Sequence, residues 1–199
     1  QFGILSASFY VPYILMQIPV GLMLDRLSIR LVLTVMSLLT AVGCCVFCLA
    51  DSLMMAAFGR MLIGFTAAFA FISTLRLATV WFPPSMMGLL AGLTQAVGML
   101  GAASGQAPVA FLVGSIGWRH SMFVMASVFI LLSMFLYQYV RDAPQVKLCD
   151  IKIKQVKTIG VFDSLRTVLS MPQTWINALY TGFLFAPTAV IGESLGAAY

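Results

Sequence analysis

The chain has 199 residues, of which 61% are hydrophobic and 9% are charged, and its formal net charge is +5. Soluble domains are closer to half apolar and about a quarter charged. One soluble globule of this length cannot bury so much apolar surface, so lipid is predicted to be the natural solvent of the chain.

Six apolar runs follow one another along the chain, each long enough for a membrane-spanning helix. A span needs about 20 apolar residues to cross about 30 Å of hydrocarbon, and lipid forces backbone polar groups to pair within the helix. The sequence therefore predicts an all-α, polytopic transmembrane bundle. The runs are Ile4–Leu24, Leu31–Ala50, Leu53–Phe82, Met86–Val113, Met122–Val140 and Trp175–Tyr199.

Short connectors join most of these runs. Residues 25–30 form a tight turn, the two prolines of 82–86 stop one helix and redirect the chain, and 114–121 join the fourth run to the fifth. Residues 141–174 form the only long loop. Within it, 161–170 has the spacing of a helix that lies along the membrane surface, and a solvated linker is the equal alternative.

The basic residues cluster on one side of the predicted topology. Strict alternation of the spans puts residues 25–30, 82–86 and 141–174 on one side, together with most of the 11 Lys and Arg residues. The positive-inside rule assigns that side to the cytoplasm. The net charge therefore indicates topology and contact with anionic membrane lipid, and no nucleic-acid binding is predicted.

The cysteines and the single histidine form no recognisable chemical site. Cys44, Cys45 and Cys48 lie in an apolar run without a His or carboxylate partner, so small packing residues are favoured over a metal or redox site. His120 lies in an outer connector, and there is no Walker sequence. The sequence predicts no enzymatic activity, no cofactor and no metal.

The turn between the first two runs carries the most specific motif. Residues 21–30 read GLMLDRLSIR, which resembles the signature loop of the major facilitator superfamily, Gly-x-Leu-Ala-Asp-Arg-x-Gly-Arg-Arg/Lys. Ser28 replaces the usual glycine, and Ile29 replaces the first of the paired basic residues. The matching positions are Gly21, Asp25, Arg26 and Arg30.

Other segments resemble the same family in the same order. GRMLIGFTAA places Arg60 and Gly64 in the helix-4 pattern Arg-x-x-x-Gly. WFPP followed by Gly88 resembles the junction of helices 4 and 5, and GWRHSMFV resembles that of helices 5 and 6. The resemblance implies that the six runs are helices 2 to 7 of a twelve-helix secondary transporter.

The resemblance also implies the domain organisation. Residues 1–140 would be an N-terminal bundle that lacks helix 1, residues 141–174 a cytoplasmic central loop, and residues 175–199 the first, truncated helix of the C-terminal bundle. Because the first residue is Gln and an apolar run reaches the last, the chain is expected to be a fragment. The missing C-terminal bundle of the same chain is then its partner.

The function that the resemblance implies is movement of a small solute by alternating access, with the substrate site near the midplane between two bundles. Two Arg residues within a span favour an organic anion, with a proton or cation as coupling ion. A multi-pass protein of the bacterial inner membrane is expected. The alternatives are a drug or metabolite efflux antiporter and a non-transporting membrane receptor with the same fold.

Asp25 is predicted to act as a conformational latch. An anion at the end of a helix can cap a neighbouring helix N-terminus or pair with an arginine, and such a contact can form in one conformation and break in the other. Gly21, Arg26 and Arg30 belong to the same predicted switch loop. The alternative is an ordinary turn whose arginines only set the topology.

Two charges inside the third run are candidates for the substrate path, since charges within membranes are costly. Arg60 and Arg76 lie about 24 Å apart along one helix and face different sides, so they cannot share one cavity. Arg60 would line or gate the path beside the small Gly64, or extend to a headgroup region. Arg76 would do the same, or anchor the helix at the interface.

Weaker candidates are polar residues within the spans. Gln17, Gln95 and Tyr13 could line the substrate path, although hydrogen bonding between helices explains the glutamines, and packing at the lipid interface explains the tyrosine. Glu193 is the only Glu in the chain and could bind a coupling proton or cation. Exposure at the mouth of a helix is its alternative.

The fourth run is rich in small residues at the spacing that allows close helix packing. Gly88 and Gly92 form one GxxxG pair, and Gly101 and Gly105 form another. Pro108 follows and predicts a bend. The antiporters of the family carry a Gly-Pro pair in helix 5, whereas here an alanine precedes Pro108, which weighs mildly against drug–proton antiport.

Overall fold

The computed structural model describes residues 2–24, 27–142 and 169–190, and it is helical apart from short turns. No strand occurs among these residues. A short 3-10 turn, Pro84–Met86, separates the third helix from the fourth. The helices are α1 Phe2–Leu24, α2 Ile29–Cys48, α3 Leu53–Trp81, α4 Met87–Tyr139 and α5 Pro172–Val190.

The prediction of an all-α, polytopic transmembrane bundle is confirmed. The described part of the chain contains 4 helices that are long and apolar enough to cross a membrane, judged by length and composition. The 53 residues of α4 are two helices broken at Gly117, a first part at residues 87–116 and a second part at residues 118–139. They are about 45 Å and about 33 Å long, so each can cross about 30 Å of hydrocarbon. Residues 191–199 of the sixth predicted span lie outside the described residues, as does most of the predicted surface helix at 161–170.

The predicted junction of the fourth and fifth runs at residues 114–121 is present, but it is a break at one residue and not a loop. These residues are helical except at Gly117, whose φ of 79° and ψ of 160° are the only non-helical backbone angles in α4. Only glycine adopts this conformation without strain. Ser121 Oγ donates a 2.8 Å hydrogen bond to the Gly117 carbonyl, which satisfies an acceptor at the break. One glycine therefore replaces the predicted loop and redirects the helix axis.

The backbone of α3 is in close contact with α1 on one side and with α2 on the other. A Cβ atom added to Gly64 would lie 2.1 Å from the carbonyl oxygen of Phe9 in α1. A Cβ atom added to Gly59 would lie 2.8 Å from the backbone nitrogen of Phe47 in α2. Only glycine at these two positions allows the helices to approach so closely.

Polar side chains join α2 to the second part of α4. Ser37 Oγ donates to the Phe129 carbonyl at 2.9 Å, and Ser133 Oγ donates to the Thr34 carbonyl at 3.0 Å. These pairings make the two segments antiparallel. Hydrogen bonds of this kind contribute about 0.6–2 kcal/mol each in a membrane.

The apolar core has two parts. The larger cluster joins α1, α2 and α3, and the smaller joins α2 and α4 around Ala41, Cys44 and Ala126. By contrast, residues 87–116 of α4 are exposed over most of their length. The larger cluster consists of Val20, Leu24, Val32, Ala68 and Phe69.

Contacts along the chain divide it into two compact units, Gln1–Val146 and Lys147–Tyr199. The helices α1 to α4 belong to the first unit, and α5 is the described part of the second. The first unit contains all the contacts from which the candidate site is built.

We expect Gly64→Ala to destabilise the folded protein by about 1–3 kcal/mol, because the new methyl group would collide with the Phe9 carbonyl and force α1 away from α3. Gly98→Ala is the matched control, since its added Cβ has no neighbour within 4 Å among the described residues. Thermal unfolding in detergent measures both. Equal midpoints for the two variants would contradict the close contact between α1 and α3.

Candidate functional site

The N-terminus of α2 is bound to the segment that follows α4 through a carboxylate. Asp142 Oδ1 accepts a 3.1 Å hydrogen bond from the backbone N–H of Arg30, and Asp142 Oδ2 accepts one from Ser28 Oγ. Ser28 Oγ in turn accepts from the backbone N–H of Leu31 at 3.3 Å. Since helix N-termini leave N–H groups unpaired and favour negative charge, Ser28 and Asp142 cap α2 together.

Arg30 makes the complementary contact with the last turn of α4. Its Nε donates a 2.7 Å hydrogen bond to the Tyr137 carbonyl, and its guanidinium lies 4.2 Å from the centroid of the Tyr137 ring. A cation at a helix C-terminus satisfies unpaired carbonyls and the helix dipole, and the ring face adds a cation–π attraction. We call Ser28, Arg30, Tyr137 and Asp142 the α2–α4 clasp.

The predicted switch loop is only partly described. Arg30 belongs to the clasp. Gly21 is half-buried, and an added Cβ would meet no atom of the described residues within 4 Å. Asp25 and Arg26 lie outside the described residues. The sequence prediction missed Asp142, although strict alternation already places it on the same side of the membrane as the turn at residues 25–30.

A second contact joins α2 to α4 at the other end of the bundle. Arg119 Nη2 lies 3.1 Å from Asp51 Oδ1 and 3.4 Å from the Ala50 carbonyl oxygen. Cys48 Sγ donates to the Arg119 carbonyl at 3.1 Å. The Asp51 side chain is 92% exposed, so the ion pair contributes at most about 1 kcal/mol.

Arg60 is half-buried within α3, near the end of the bundle that carries Asp51. Its guanidinium carbon lies 5.9 Å from the centroid of the Phe47 ring. Its Nε atom is buried, and no hydrogen-bond acceptor reaches it among the described residues. A buried N–H of a guanidinium without an acceptor is costly, and an anion would relieve that cost.

The other predicted path residues are not brought to Arg60. Arg76 is exposed near the opposite end of α3, about 24 Å away along the axis. Tyr13 packs against the larger apolar cluster, and Gln17 is half-buried one turn further along α1. Gln95 is exposed on α4, and Glu193 lies outside the described residues.

The small residues of α4 have no close neighbours in the described part of the chain. An added Cβ would meet no atom within 4 Å at Gly88, Gly92, Gly101 or Gly105. The backbone stays helical through Pro108, and the only non-helical angles fall at Gly117. A packing role therefore remains a prediction for these four glycines, whereas Gly64 has a partner helix.

One cavity in the described part of the chain has an apolar lining. It has a volume of about 240 Å³ and lies between α2, α3 and the second part of α4. Its polar groups already have partners, because Thr66 Oγ1 lies 2.8 Å from Thr40 Oγ1 and 2.9 Å from the Ile63 carbonyl oxygen. Such a cavity does not suit an anion. Within the part of the chain that is described, no cluster of three or more His, Cys, Asp or Glu residues could hold a metal ion.

The apolar spans, the close α3 contacts and the clasp between two helix ends define a polytopic α-helical membrane protein. More specifically, the chain belongs to the Major Facilitator Superfamily, whose family model matches residues 1–197. This family assignment confirms the resemblance that the turn at residues 21–30 first indicated.

Relatives of the chain are named as transporters. It is 34% identical over 143 residues to the uncharacterized transporter YybO of Bacillus subtilis, covering 70% of this chain and 32% of the relative. It is 28% identical over 160 residues to the probable sulfoacetate transporter SauU of Cupriavidus necator, covering 80% and 37%. It is 28% identical over 183 residues to the probable anion transporter 6 of Oryza sativa, covering 90% and 42%. The chain thus spans less than half the length of these relatives.

We expect Asp142→Ala to destabilise the protein by about 1–2 kcal/mol, because it removes the acceptor of the Arg30 N–H and Ser28 hydroxyl at the N-terminus of α2. Asp51→Ala is the control, since it removes an exposed carboxylate from an ion pair that contributes less to stability than the cap of α2. Thermal unfolding in detergent gives both midpoints. A larger loss in Asp51→Ala than in Asp142→Ala would contradict the capping role of Asp142.

Proposed function

We propose that the chain is part of a secondary transporter that moves a small organic anion across a bacterial inner membrane by alternating access. Family membership and the names of the relatives support transport. The inference of an anionic substrate rests on Arg60. Its side chain is half-buried in a span, and its Nε has no acceptor among the described residues. A positive charge placed there selects against cationic solutes by repulsion.

Arg60 is better suited to contact the substrate than Arg119, the other arginine described at this end of the bundle. Arg119 is paired with Asp51 and is 53% exposed, so much of its charge is already neutralised. Arg60 lies about 10 Å along α3 from the start of that helix, since each residue adds about 1.5 Å. We therefore place the anion contact toward one mouth of the path, and Gln17, Tyr13, Gln95 and Arg76 are weaker candidates for the rest.

The names of the relatives agree with an anionic substrate. One relative is named for sulfoacetate and another for anions in general. A nitrate/nitrite transporter, NrtP of a Picosynechococcus strain, is 31% identical over 101 residues, covering 51% of this chain and 18% of the relative. Sulfoacetate and nitrate are therefore suitable probes for this protein.

The clasp is the proposed conformational switch. Charge asymmetry places the turn at residues 25–30 in the cytoplasm, and Asp25, Arg26 and Gly21 would act with Arg30 there. The hydrogen bonds of the clasp lie at the surface. Such contacts exchange with water at little net cost, so they can form in one state and open in another.

Coupling to a proton or cation is part of the proposal, and symport is the expected mode. Glu193 is the candidate coupling residue, and it lies outside the described residues. Efflux of a drug or metabolite and a receptor without transport are the alternatives. Export of a cationic or neutral solute would support the first, and binding without uptake would support the second.

We expect Arg60→Gln to raise the KM for sulfoacetate or nitrate uptake by about 10–100-fold, because a charge-assisted hydrogen bond contributes about 1.5–3 kcal/mol. Arg60→Lys should fall between this variant and wild type, since it keeps the charge and loses the planar fork. Uptake of labelled anion into proteoliposomes that contain the full-length protein measures both.

Arg119→Gln is the matched control, because Arg119 is a guanidinium at the same end of the bundle that already has a carboxylate partner. We expect its KM to stay within about twofold of wild type. If a correctly inserted Arg60→Gln protein has the KM of the wild type, this result contradicts the proposed role of Arg60.

A further inference from the structure

Phe47 lies where three contacts meet, close to the C-terminus of α2. One face of its ring is approached by the Arg60 guanidinium, at 5.9 Å from the ring centroid. The ring also makes an edge contact with Trp118, with centroids 6.0 Å apart and planes at 72°. Its backbone nitrogen is the atom that an added Cβ on Gly59 would meet at 2.8 Å.

The backbone contact fixes the distance between Phe47 and Arg60. Gly59 immediately precedes Arg60, so α2 and α3 are in close backbone contact next to the point where the Arg60 side chain leaves its helix. A larger residue at position 59 would separate the helices and carry the guanidinium away from the ring. The backbone contact at Gly59 therefore keeps the Phe47 ring and the Arg60 guanidinium close together, in addition to the attraction between them.

Trp118 supports the ring from the side. It directly follows Gly117, the only residue of α4 with non-helical angles, so the break helps to set the position of the indole. The Arg119 guanidinium lies 5.0 Å from the Trp118 ring. The two aromatic rings thus lie between two guanidinium groups, of which Arg119 has a carboxylate partner.

An aromatic ring orients a guanidinium without using its hydrogen-bond donors. The negative face of a ring attracts a cation, whereas a carboxylate would accept from the guanidinium N–H groups and neutralise the charge. The contact with the ring therefore uses none of the N–H donors of Arg60 while it restricts the position of the guanidinium. The buried Nε, without an acceptor among the described residues, is consistent with this arrangement.

We propose that Phe47 is a positioning residue that holds the Arg60 guanidinium in place for an oxyanion substrate, a carboxylate, sulfonate or nitrate. The proposal rests on the proposed function, because it assigns Phe47 a role only if Arg60 contacts the anion. Restricting the guanidinium before binding lowers the ordering cost of the complex, so Phe47 acts on affinity more than on the rate of turnover.

The test replaces Phe47 by phenylalanines carrying one, two and three fluorine atoms, introduced into the full-length protein by stop-codon suppression. Fluorine withdraws negative charge from the ring face and leaves the shape of the ring nearly unchanged. We expect the KM for labelled sulfoacetate or nitrate in proteoliposomes to rise stepwise, by about 3–10-fold in total, with kcat unchanged. The matched control is the same series at Phe65, whose ring contact is with Phe69 at 5.6 Å.

Two conventional variants complete the test. Phe47→Tyr keeps the ring face and should retain the wild-type KM, whereas Phe47→Leu should raise it. Phe47→Leu combined with Arg60→Gln should be no worse than Arg60→Gln alone, because the ring acts through the guanidinium. If Arg60→Gln raises KM while the fluorinated series stays flat, the role of Phe47 is overturned and the proposed function stands. If Arg60→Gln leaves KM unchanged, both fail.

Discussion

The contact of two α3 glycines with the backbones of neighbouring helices determines most of the arrangement around them. Gly64 meets the Phe9 carbonyl of α1, and Gly59 meets the Phe47 nitrogen of α2. In lipid there is little hydrophobic force between helices, so close packing and hydrogen bonds hold them together. Arg60 leaves α3 directly beside one of these contacts. The geometry of the proposed anion contact therefore follows from helix packing.

Contacts at both ends join α2 to the second part of α4. The clasp joins Ser28 and Arg30 to Tyr137 and Asp142 at one end, and Arg119 meets Asp51 at the other. Serine hydroxyls bridge the two helices between these points. The hydroxyl contacts and the Arg119 contacts still join the two segments when the proposed clasp opens.

The sequence predicted what depends on composition and missed what depends on contacts between distant residues. The lengths of α1, α2 and α3 follow from apolar runs, and the cost of a charge in lipid pointed to Arg60. The junction at residues 114–121 was predicted as a loop, whereas a single glycine with positive φ is enough to separate the two helices. Asp142 and Phe47 were missed because their partners are set by tertiary packing, although span alternation had placed Asp142 on the side of the turn. Ser28, a departure from the family motif, proved to be a helix cap.

The charge of the transported solute is the sharpest test of the proposed anion contact at Arg60. Proteoliposomes containing the full-length wild-type protein are given labelled sulfoacetate together with an excess of a small carboxylate or sulfonate, or of the neutral amide of the same size. We expect saturable uptake that the anions inhibit and the amides leave unchanged, because a guanidinium distinguishes charge at equal shape. Equal inhibition by anions and amides, or uptake of cationic solutes alone, would contradict it.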